Sequence, residues 1–287
     1  MSARLRGIAR ETEQIVAAGA YRAPDGREVF LADAVEAARA GTRTHGPDPV
    51  PVPPAPGTHT TLIEVTGESS LQAARRLGPG TAVLDFASAR NPGGGYLNGA
   101  QAQEEALCRA SALYTCLLRA AEFYDHHRTH RDPFYTDRVV HAPAVPVFRD
   151  DRGRLLGEPF AAGFLAAAAP NAGVVRRTAP HRAAELPHAL ATRAERVLET
   201  AAAHGYRRLV LGAWGCGVFQ NDPDQVAGAF HGLLGPGGRF ADRFEHVVFA
   251  VLDRTRGAVV RETFARTFPE PRLRGASLSS PGSRPES

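Results

Sequence analysis

Three consecutive glycines, Gly93-Gly94-Gly95, stand seven residues before the polar triplet Gln103-Glu104-Glu105. Glycines expose backbone N–H groups and let the chain approach a ligand closely, so this segment is suited to binding sugar hydroxyls or phosphates. Two glutamates in the first turn of a helix can move protons when their surroundings shift their pKa. The spacing therefore predicts a backbone cradle for a polar ligand beside two carboxylates that can perform acid–base chemistry.

The side chains of Glu104 and Glu105 point about 100° apart if both lie on a helix, because they are neighbours in sequence. They cannot form the facing pair of most glycosidases, whose carboxyl groups lie about 5 Å or more apart across the bond. We expect unlike roles, in which one acts on a leaving oxygen and the other holds a sugar hydroxyl. The alternative is that both only complement the helix dipole. The preceding triple glycine favours the chemical role.

A second glycine-rich segment occupies residues 212–223, after a short apolar run and before a helix that Asp222 would cap. It lacks the Lys-Ser/Thr pair of a nucleoside-triphosphate loop, so it suits a diphosphate without a dedicated magnesium site. Phe219 would pack on a ribose and Val218 would shape the site. Cys216 is expected to fill the turn rather than act as a nucleophile. A plain strand-to-helix turn is the alternative for this segment.

Elements that position these segments follow from the hydrophobic pattern. Strands are predicted at 61–65, 82–86, 138–142, 145–149, 160–168, 209–212 and 246–251. Helices are predicted from Leu5 to a stop at Gly19, at 29–39, 70–77, 101–124 and 186–204, after Asp222, and at 257–268. Alternating strands and helices predict a layered α/β domain, in which ligands bind at the carboxyl ends of strands. Both glycine segments follow such ends.

The chain divides into three predicted parts. Residues 1–58 form an N-terminal helical extension and a connection with six prolines between His45 and Thr58. Residues 59–268 form the catalytic domain. Residues 269–287 are rich in Ser, Pro, Arg and Gly and are expected to be disordered.

Composition sets broad limits on function. The 287 residues are 43% hydrophobic and 22% charged, with a net charge of +4, a mild basic bias that suits a polyanionic substrate. Three cysteines, Cys108, Cys116 and Cys216, make neither a disulfide framework nor a zinc motif. No apolar run approaches a membrane span, and the N-terminus lacks a signal peptide's apolar core. We expect a cytoplasmic protein with no metal and no cofactor.

The GGG-x7-QEE pattern resembles the catalytic motif of poly(ADP-ribose) glycohydrolases. The chain resembles the microbial type from about residue 5 to 268, including Arg10-Glu11-Thr12, the YRAPDG turn at 21–26 and GAWGCGVF at 212–219. This resemblance implies a macrodomain-like mixed β-sheet sandwiched between helices, with an N-terminal helical extension and an ADP-ribose cleft. It also implies hydrolysis of the ribose–ribose bonds of poly(ADP-ribose), releasing ADP-ribose.

Matching positions imply roles for individual residues. Glu105 would be the general acid and base that protonates the leaving ribose oxygen and then activates water, and Glu104 would bind ribose hydroxyls. The implied substrate-binding residues are Gly93, Gly94, Gly95, Gln103, Gly215, Cys216, Gly217, Val218 and Phe219, together with Asn91, Asn98 and Glu68.

Two of these assignments have alternatives. Glu68 matches an acidic residue that macrodomains place against the adenine amino group, but it could equally cap the helix that begins at Ser70. Many macrodomains carry ribose-binding asparagines where this chain has Asp85-Phe86-Ala87-Ser88. Either Asn91 or Asn98 would take over that contact.

Other functions share this pocket chemistry. A non-catalytic ADP-ribose-binding macrodomain would generally lack Gln-Glu-Glu, which is present here. A hydrolase of mono-ADP-ribosylated protein or of O-acetyl-ADP-ribose stays open. The expected partners are poly(ADP-ribose) and ADP-ribosylated proteins as substrates, without direct DNA or membrane binding, and the chain is expected to act as a monomer.

Overall fold

The computed structural model describes residues 2–54 and 60–269. Its helices are α1 (Ala3–Ala18), α2 (Ala32–Gly41), α3 (Ser70–Leu77), α4 (Gln103–Ala110), α5 (Leu113–Leu117), α6 (Ala121–Thr129), α7 (Ala172–Thr178), α8 (Leu186–Ala203), α9 (Pro223–Leu234) and α10 (Val259–Thr267). Its strands are β1 (Ala20–Arg22), β2 (Glu28–Phe30), β3 (Arg43–His45), β4 (Leu62–Thr66), β5 (Thr81–Phe86), β6 (Val139–Arg149), β7 (Leu155–Ala167), β8 (Arg208–Leu211) and β9 (His246–Ala250). The predicted disordered tail lies outside the described residues, apart from residue 269.

Strands β3 to β9 form one mixed sheet in the order β3-β6-β7-β5-β8-β9-β4. The five strands from β7 to β4 run parallel, whereas β6 runs antiparallel to both β7 and β3. The carboxyl ends of the parallel strands therefore share one edge with the start of β6, and ligands of such sheets bind at that edge. The predicted α/β class is confirmed.

Two apolar cores cover the two faces of this sheet. Alternate residues of a strand point to opposite faces, and in β5 Val83 packs with side chains of α1 to α6. Its neighbours Ala82 and Leu84 pack with α8, α9 and α10 on the other face. Asp85 follows the same alternation, so it shares the Val83 face and lies towards α4.

The predicted helix at 101–124 is wrong, because this segment forms three short helices. Ser111 is extended between α4 and α5 and pairs with Val147 of β6 through an isolated antiparallel bridge. Ala112 also donates from its N–H to Pro146 O at 3.1 Å. This contact between residues far apart in sequence outweighs the local helical preference, so no periodicity in the segment reveals the break.

The predicted helix at 29–39 is wrong at its start. Residues 28–30 are a strand that pairs with Ala20–Arg22 around the Pro24-Asp25-Gly26 turn, and the helix begins only at Ala32. Arg43–His45, which the sequence left unassigned, pairs with β6 and becomes an edge strand of the main sheet. Residues 2–54 thus contribute strands as well as helices.

Other predicted elements agree closely with the structure. The first helix ends at Gly19 in the left-handed conformation, and Asp222 caps α9 with Pro223 in its first turn. The strands predicted at 138–142 and 145–149 form the single strand β6, with an irregular register between Ala142 and Val145.

Candidate active site

Both glycine segments lie side by side at the carboxyl edge of the sheet. Strands β5 and β8 are neighbouring parallel strands, with Val83 opposite Val210. The first glycine loop follows β5 at Phe86, and the second follows β8 at Leu211. The topology therefore brings together two loops that are more than a hundred residues apart in sequence.

Gln103 fastens the start of α4 to the end of β5. Its side-chain oxygen accepts from the Phe86 N–H at 2.9 Å, and its nitrogen donates to Leu84 O at 2.8 Å and to Ser70 Oγ at 3.1 Å. These bonds satisfy backbone groups of β5 just beyond the residues that pair with β8. The side chain thus fixes the helix end that carries both glutamates.

Each glutamate is held by a different backbone amide of the first loop. Glu104 Oε2 accepts from the Ser88 N–H at 2.7 Å, and Glu105 Oε1 accepts from the Gly95 N–H at 2.9 Å. The other oxygen of each carboxylate is buried and has no hydrogen-bond partner among residues 2–54 and 60–269. The two side chains are therefore separately anchored, each with one oxygen left to act.

Gly94 packs directly against both carboxylates. A Cβ on this residue would lie 2.6 Å from Glu105 Oε1 and 3.0 Å from Glu104 Oε2, and its φ of +58° is a conformation that side chains disfavour. Only glycine fits both the conformation and the space at this position.

Three carboxyl groups share the buried volume beneath the loop. Burial, and then the negative charge of Glu105, raises the pKa of Asp85 well above its usual range. Burial, and then the charge of Asp85, raises the pKa of Glu104 in the same way. Burial and crowded like charges favour the protonated forms of Asp85 and Glu104, so these two groups tend to keep their protons near neutral pH.

The N-terminal helix supports the first loop from outside. The Tyr96 hydroxyl donates to Ala9 O at 3.1 Å and also bonds Glu13 Oε1 at 2.9 Å. Thr12 Oγ1 donates to Arg109 O at 2.8 Å, near the end of α4. Helix α1 therefore holds both ends of the catalytic segment.

Trp214 and Asn221 hold the second loop in shape. The indole Nε1 of Trp214 donates to Ala167 O at 2.9 Å, and the Asn221 amide donates to Pro170 O at 2.8 Å and to Gly215 O at 3.1 Å. Both side chains are buried. They tie the loop to the end of β7, beside β5 in the sheet.

A cavity of about 870 Å³ opens beside the loops, a volume typical of small-molecule sites. Its wall includes Phe86 and Gln103 on the β5 side, Gly217 on the second loop, and residues 250–255 after β9. It therefore extends from the glycine loops towards the β9 and β4 edge.

Comparison with known proteins identifies the family. The profile described as microbial-type PARG, catalytic domain, where PARG stands for poly(ADP-ribose) glycohydrolase, matches residues 9–150. A poly(ADP-ribose) glycohydrolase structure from Thermomonospora curvata is 48% identical, with a TM-score of 0.88, covering 93% of this chain and 100% of that one. This chain belongs to the microbial-type poly(ADP-ribose) glycohydrolase family.

Further members of the family have been solved with ligands. The Thermomonospora curvata enzyme bound to the inhibitor ADP-HPD is 48% identical, with a TM-score of 0.85 over 92% of this chain and 99% of that chain. The Deinococcus radiodurans glycohydrolase in complex with ADP-ribose is 42% identical, with a TM-score of 0.76 over 84% of this chain and 99% of that chain. No curated protein gave a match.

Two residues of the second loop that were predicted to bind substrate, Val218 and Phe219, differ in exposure. Val218 is 82% exposed, whereas Phe219 is half-buried with its ring 5.8 Å from that of Tyr135. Burial, and then Asp222, raises the pKa of Cys216 to about 12, so its thiol is a poor nucleophile. That Cys216 fills the turn stays a prediction.

Three further predicted binding residues, Glu68, Asn91 and Asn98, lie outside the buried cluster of carboxylates. Glu68 forms an ion pair with Arg76 at 2.8 Å, and the helix cap is Ser69, so the alternative that Glu68 caps this helix is wrong. Asn98 is exposed in a short turn, next to Gly99, whose carbonyl accepts from Ser2 N–H of the N-terminal segment. Asn91 is exposed at the start of the glycine loop.

Sequence reasoning did not assign site roles to Asp85, Trp214, Asn221 or Tyr135. An acid at the end of an apolar run and the single tryptophan were visible signals, because neither is expected in such places without a partner. Tyr135 and Asn221 had no local signal. Over the described ranges, no group of three or more His, Cys, Asp and Glu side chains is arranged for a metal, and no helix is long and apolar enough to cross a membrane.

Proposed function

We propose that this protein hydrolyses the ribose–ribose O-glycosidic bonds of poly(ADP-ribose) and releases ADP-ribose. The observation that carries the proposal is the anchoring of Glu105: the Gly95 N–H holds one oxygen, and the other is buried and free. Family membership supports the reaction class. The solved relatives described as bound to ADP-ribose or to an inhibitor support the ligand class.

Glu105 acts as general acid and then as general base. With a proton on its free oxygen, it protonates the leaving ribose oxygen as the glycosidic bond breaks. An oxocarbenium-like ribose forms, stabilised by the substrate's own diphosphate, and the Glu105 carboxylate then takes a proton from the attacking water.

Glu104 holds the substrate rather than performing the proton transfer. Its raised pKa favours a neutral carboxyl group, which can both donate to and accept from ribose hydroxyls. The bond from Ser88 N–H fixes its orientation. The neighbouring glutamates therefore divide the work as two unlike groups.

The remaining parts bind the ADP-ribose unit. The glycine amides of both loops bind its diphosphate and distal ribose, Phe219 packs on the ribose, and Asn91 supplies a ribose contact. The adenosine occupies the 870 Å³ cavity near Gln103 and the β9 end. We assign this machinery to residues 59–268. The N-terminal extension, residues 1–58, supports it through the contacts of α1 with the Tyr96 hydroxyl.

A cytoplasmic setting and a monomeric state complete the proposal. Cys108, Cys116 and Cys216 are free thiols, as expected in a reducing compartment. Direct DNA binding is not part of the proposed function.

The test uses the purified full chain and auto-modified polymer, with free ADP-ribose measured by chromatography. Release of ADP-ribose is expected, and it should persist in a chelator. Binding of polymer without release would make the protein a reader of ADP-ribose. Release only from singly modified protein or from O-acetyl-ADP-ribose would select the neighbouring hydrolase activity instead.

A further inference from the structure

The glycine loops are flanked by different surfaces on their two sides. On the side of β8, β9 and β4 lies the 870 Å³ cavity, which also reaches α1, α4 and the turn between β6 and β7. On the other side lie β7 and β6, whose ends at this edge carry the segment 130–138 before β6 and helix α7 after β7. If one ADP-ribose unit lies in the cavity and its distal ribose at Glu105, the rest of the polymer leaves over this second side.

Six arginines make up what we call the arginine surface: Arg90, Arg128, Arg131, Arg138, Arg176 and Arg177. Contacts join it to both catalytic loops. Arg128 donates to Arg90 O at 2.7 Å, three residues before the triple glycine, and Arg176 donates to Gln220 O at 2.9 Å, next to Phe219. The surface therefore adjoins the start of the first loop and the end of the second loop.

The two halves of the arginine surface are also joined to each other. Asn171 at the start of α7 donates from its N–H to Pro133 O at 2.8 Å, and Arg182 reaches back to Asp132 at 3.0 Å. The Arg90 guanidinium lies 5.9 Å from the centre of the Tyr135 ring, and that ring faces Phe219. The surface is thus continuous from the first loop to the second.

Most of the positive charge on this surface is free to bind a ligand. Among the described residues, Arg90, Arg131, Arg138, Arg176 and Arg177 form no ion pair, and Arg131, Arg176 and Arg177 are exposed. Acids close by are already engaged: Asp125 with Arg128, Asp132 and Glu185 with Arg182, and Asp137 with Arg193. Unpaired guanidinium groups next to an aromatic ring are suited to phosphates and stacked bases.

We propose that the arginine surface binds the ADP-ribose units on the leaving side of the scissile bond, so that the enzyme prefers long polymer over short oligomers. This inference rests on the proposed placement of the scissile bond at Glu105. Each leaving unit carries a diphosphate that an arginine fork can bind. Its adenine can stack on Tyr135 or on a guanidinium plane, as bases do in single-strand binding sites.

The test compares wild type with the double variant Arg131→Ser/Arg177→Ser, because neither side chain touches a glycine loop. Hydrolysis is measured on the ADP-ribose dimer and on long polymer. We expect the wild type to have a lower KM for long polymer, and the variant to raise that KM about fivefold with kcat retained. The control Arg10→Ser/Arg22→Ser removes the same charge from exposed positions on α1 and the β1–β2 hairpin, and should keep the preference.

Binding gives a second readout, in a Glu105→Gln background that should not consume the polymer. Loss of two phosphate contacts should lower the slope of log Kd against log salt by about 1.4. No length preference in the wild type, or an unchanged preference in the variant, would overturn the inference. So would single-stranded RNA that competes as strongly as polymer, because the surface would then serve nucleic acid. Failure to cleave even the dimer would instead refute the proposed function.

Discussion

Oε1 of Glu105 lies 2.9 Å from the backbone nitrogen of Gly95, so the proposed catalytic acid is oriented by the same glycine loop that would cradle its substrate. Glu104 is oriented independently, through Ser88. A ligand that shifts the loop would therefore move the two carboxylates by different amounts. This relationship makes the roles of the two glutamates separable by experiment.

Replacing Glu105 with Gln should lower kcat about 10²–10⁴-fold, because the amide cannot transfer the proton. ADP-ribose affinity, measured by calorimetry, should change little, since the amide oxygen can still accept from Gly95. The comparison is Glu104→Gln, which imitates a neutral carboxyl group and should mainly raise KM. Equal losses of kcat in both variants would contradict the division of roles.

Replacing Gly94 with Ala should reduce kcat about 100-fold, because the added Cβ would lie 2.6 Å from Glu105 Oε1 and would displace that carboxylate. The matched control is Gly26→Ala, with a φ of +86° and no atom within 4 Å of the added Cβ. Both changes strain the backbone by about 1–2 kcal/mol. Thermal unfolding should show similar losses, and only Gly94→Ala should lose activity; full activity in Gly94→Ala would contradict the close packing.

Replacing Gln103 with Ala should destabilise the protein by about 2–3 kcal/mol, because it removes three hydrogen bonds and leaves groups of β5 unsatisfied. Gln14→Ala, at an exposed position on α1, is the control and should cost less than about 0.5 kcal/mol. Chemical denaturation measures both. A rise in KM with unchanged stability would show that Gln103 binds substrate and does not brace the helix.

Replacing Asp85 with Asn should stabilise the protein as pH rises. The folded-state pKa of Asp85 is raised, so its contribution to stability is present below the unfolded pKa and is lost as pH climbs through the folded value. We expect little change in acid and a gain of about 1–3 kcal/mol at mildly alkaline pH. The exposed Asp25, whose pKa is lowered by its hydrogen bond to Arg27, should show no such gain as Asp25→Asn. A loss of stability in Asp85→Asn at alkaline pH would contradict the prediction.

Local sequence is enough to predict the parts of the site whose conformation depends on neighbouring residues. The triple glycine and the cap at Asp222 are local, because conformation at these positions follows from residues a few places away. The helix that carries both glutamates was predicted from residue 101, and it begins at Gln103. Alternating apolar strands also determined the α/β class and placed both loops at strand ends. The expectation that Glu104 and Glu105 have different roles followed from helical geometry, because neighbouring side chains on a helix point in different directions.

Contacts between distant groups depend on how segments far apart in the chain pack together. The break at Ser111 depends on its pairing with Val147, and the crowding of Asp85 with Glu105 depends on how α4 packs against β5. Arg90 and Arg176 lie on one surface because β5 and β7, which precede them in the chain, are neighbours in the sheet. Such contacts form because burial and sheet pairing act between segments far apart in the chain. A local sequence pattern does not show which of these segments will pair.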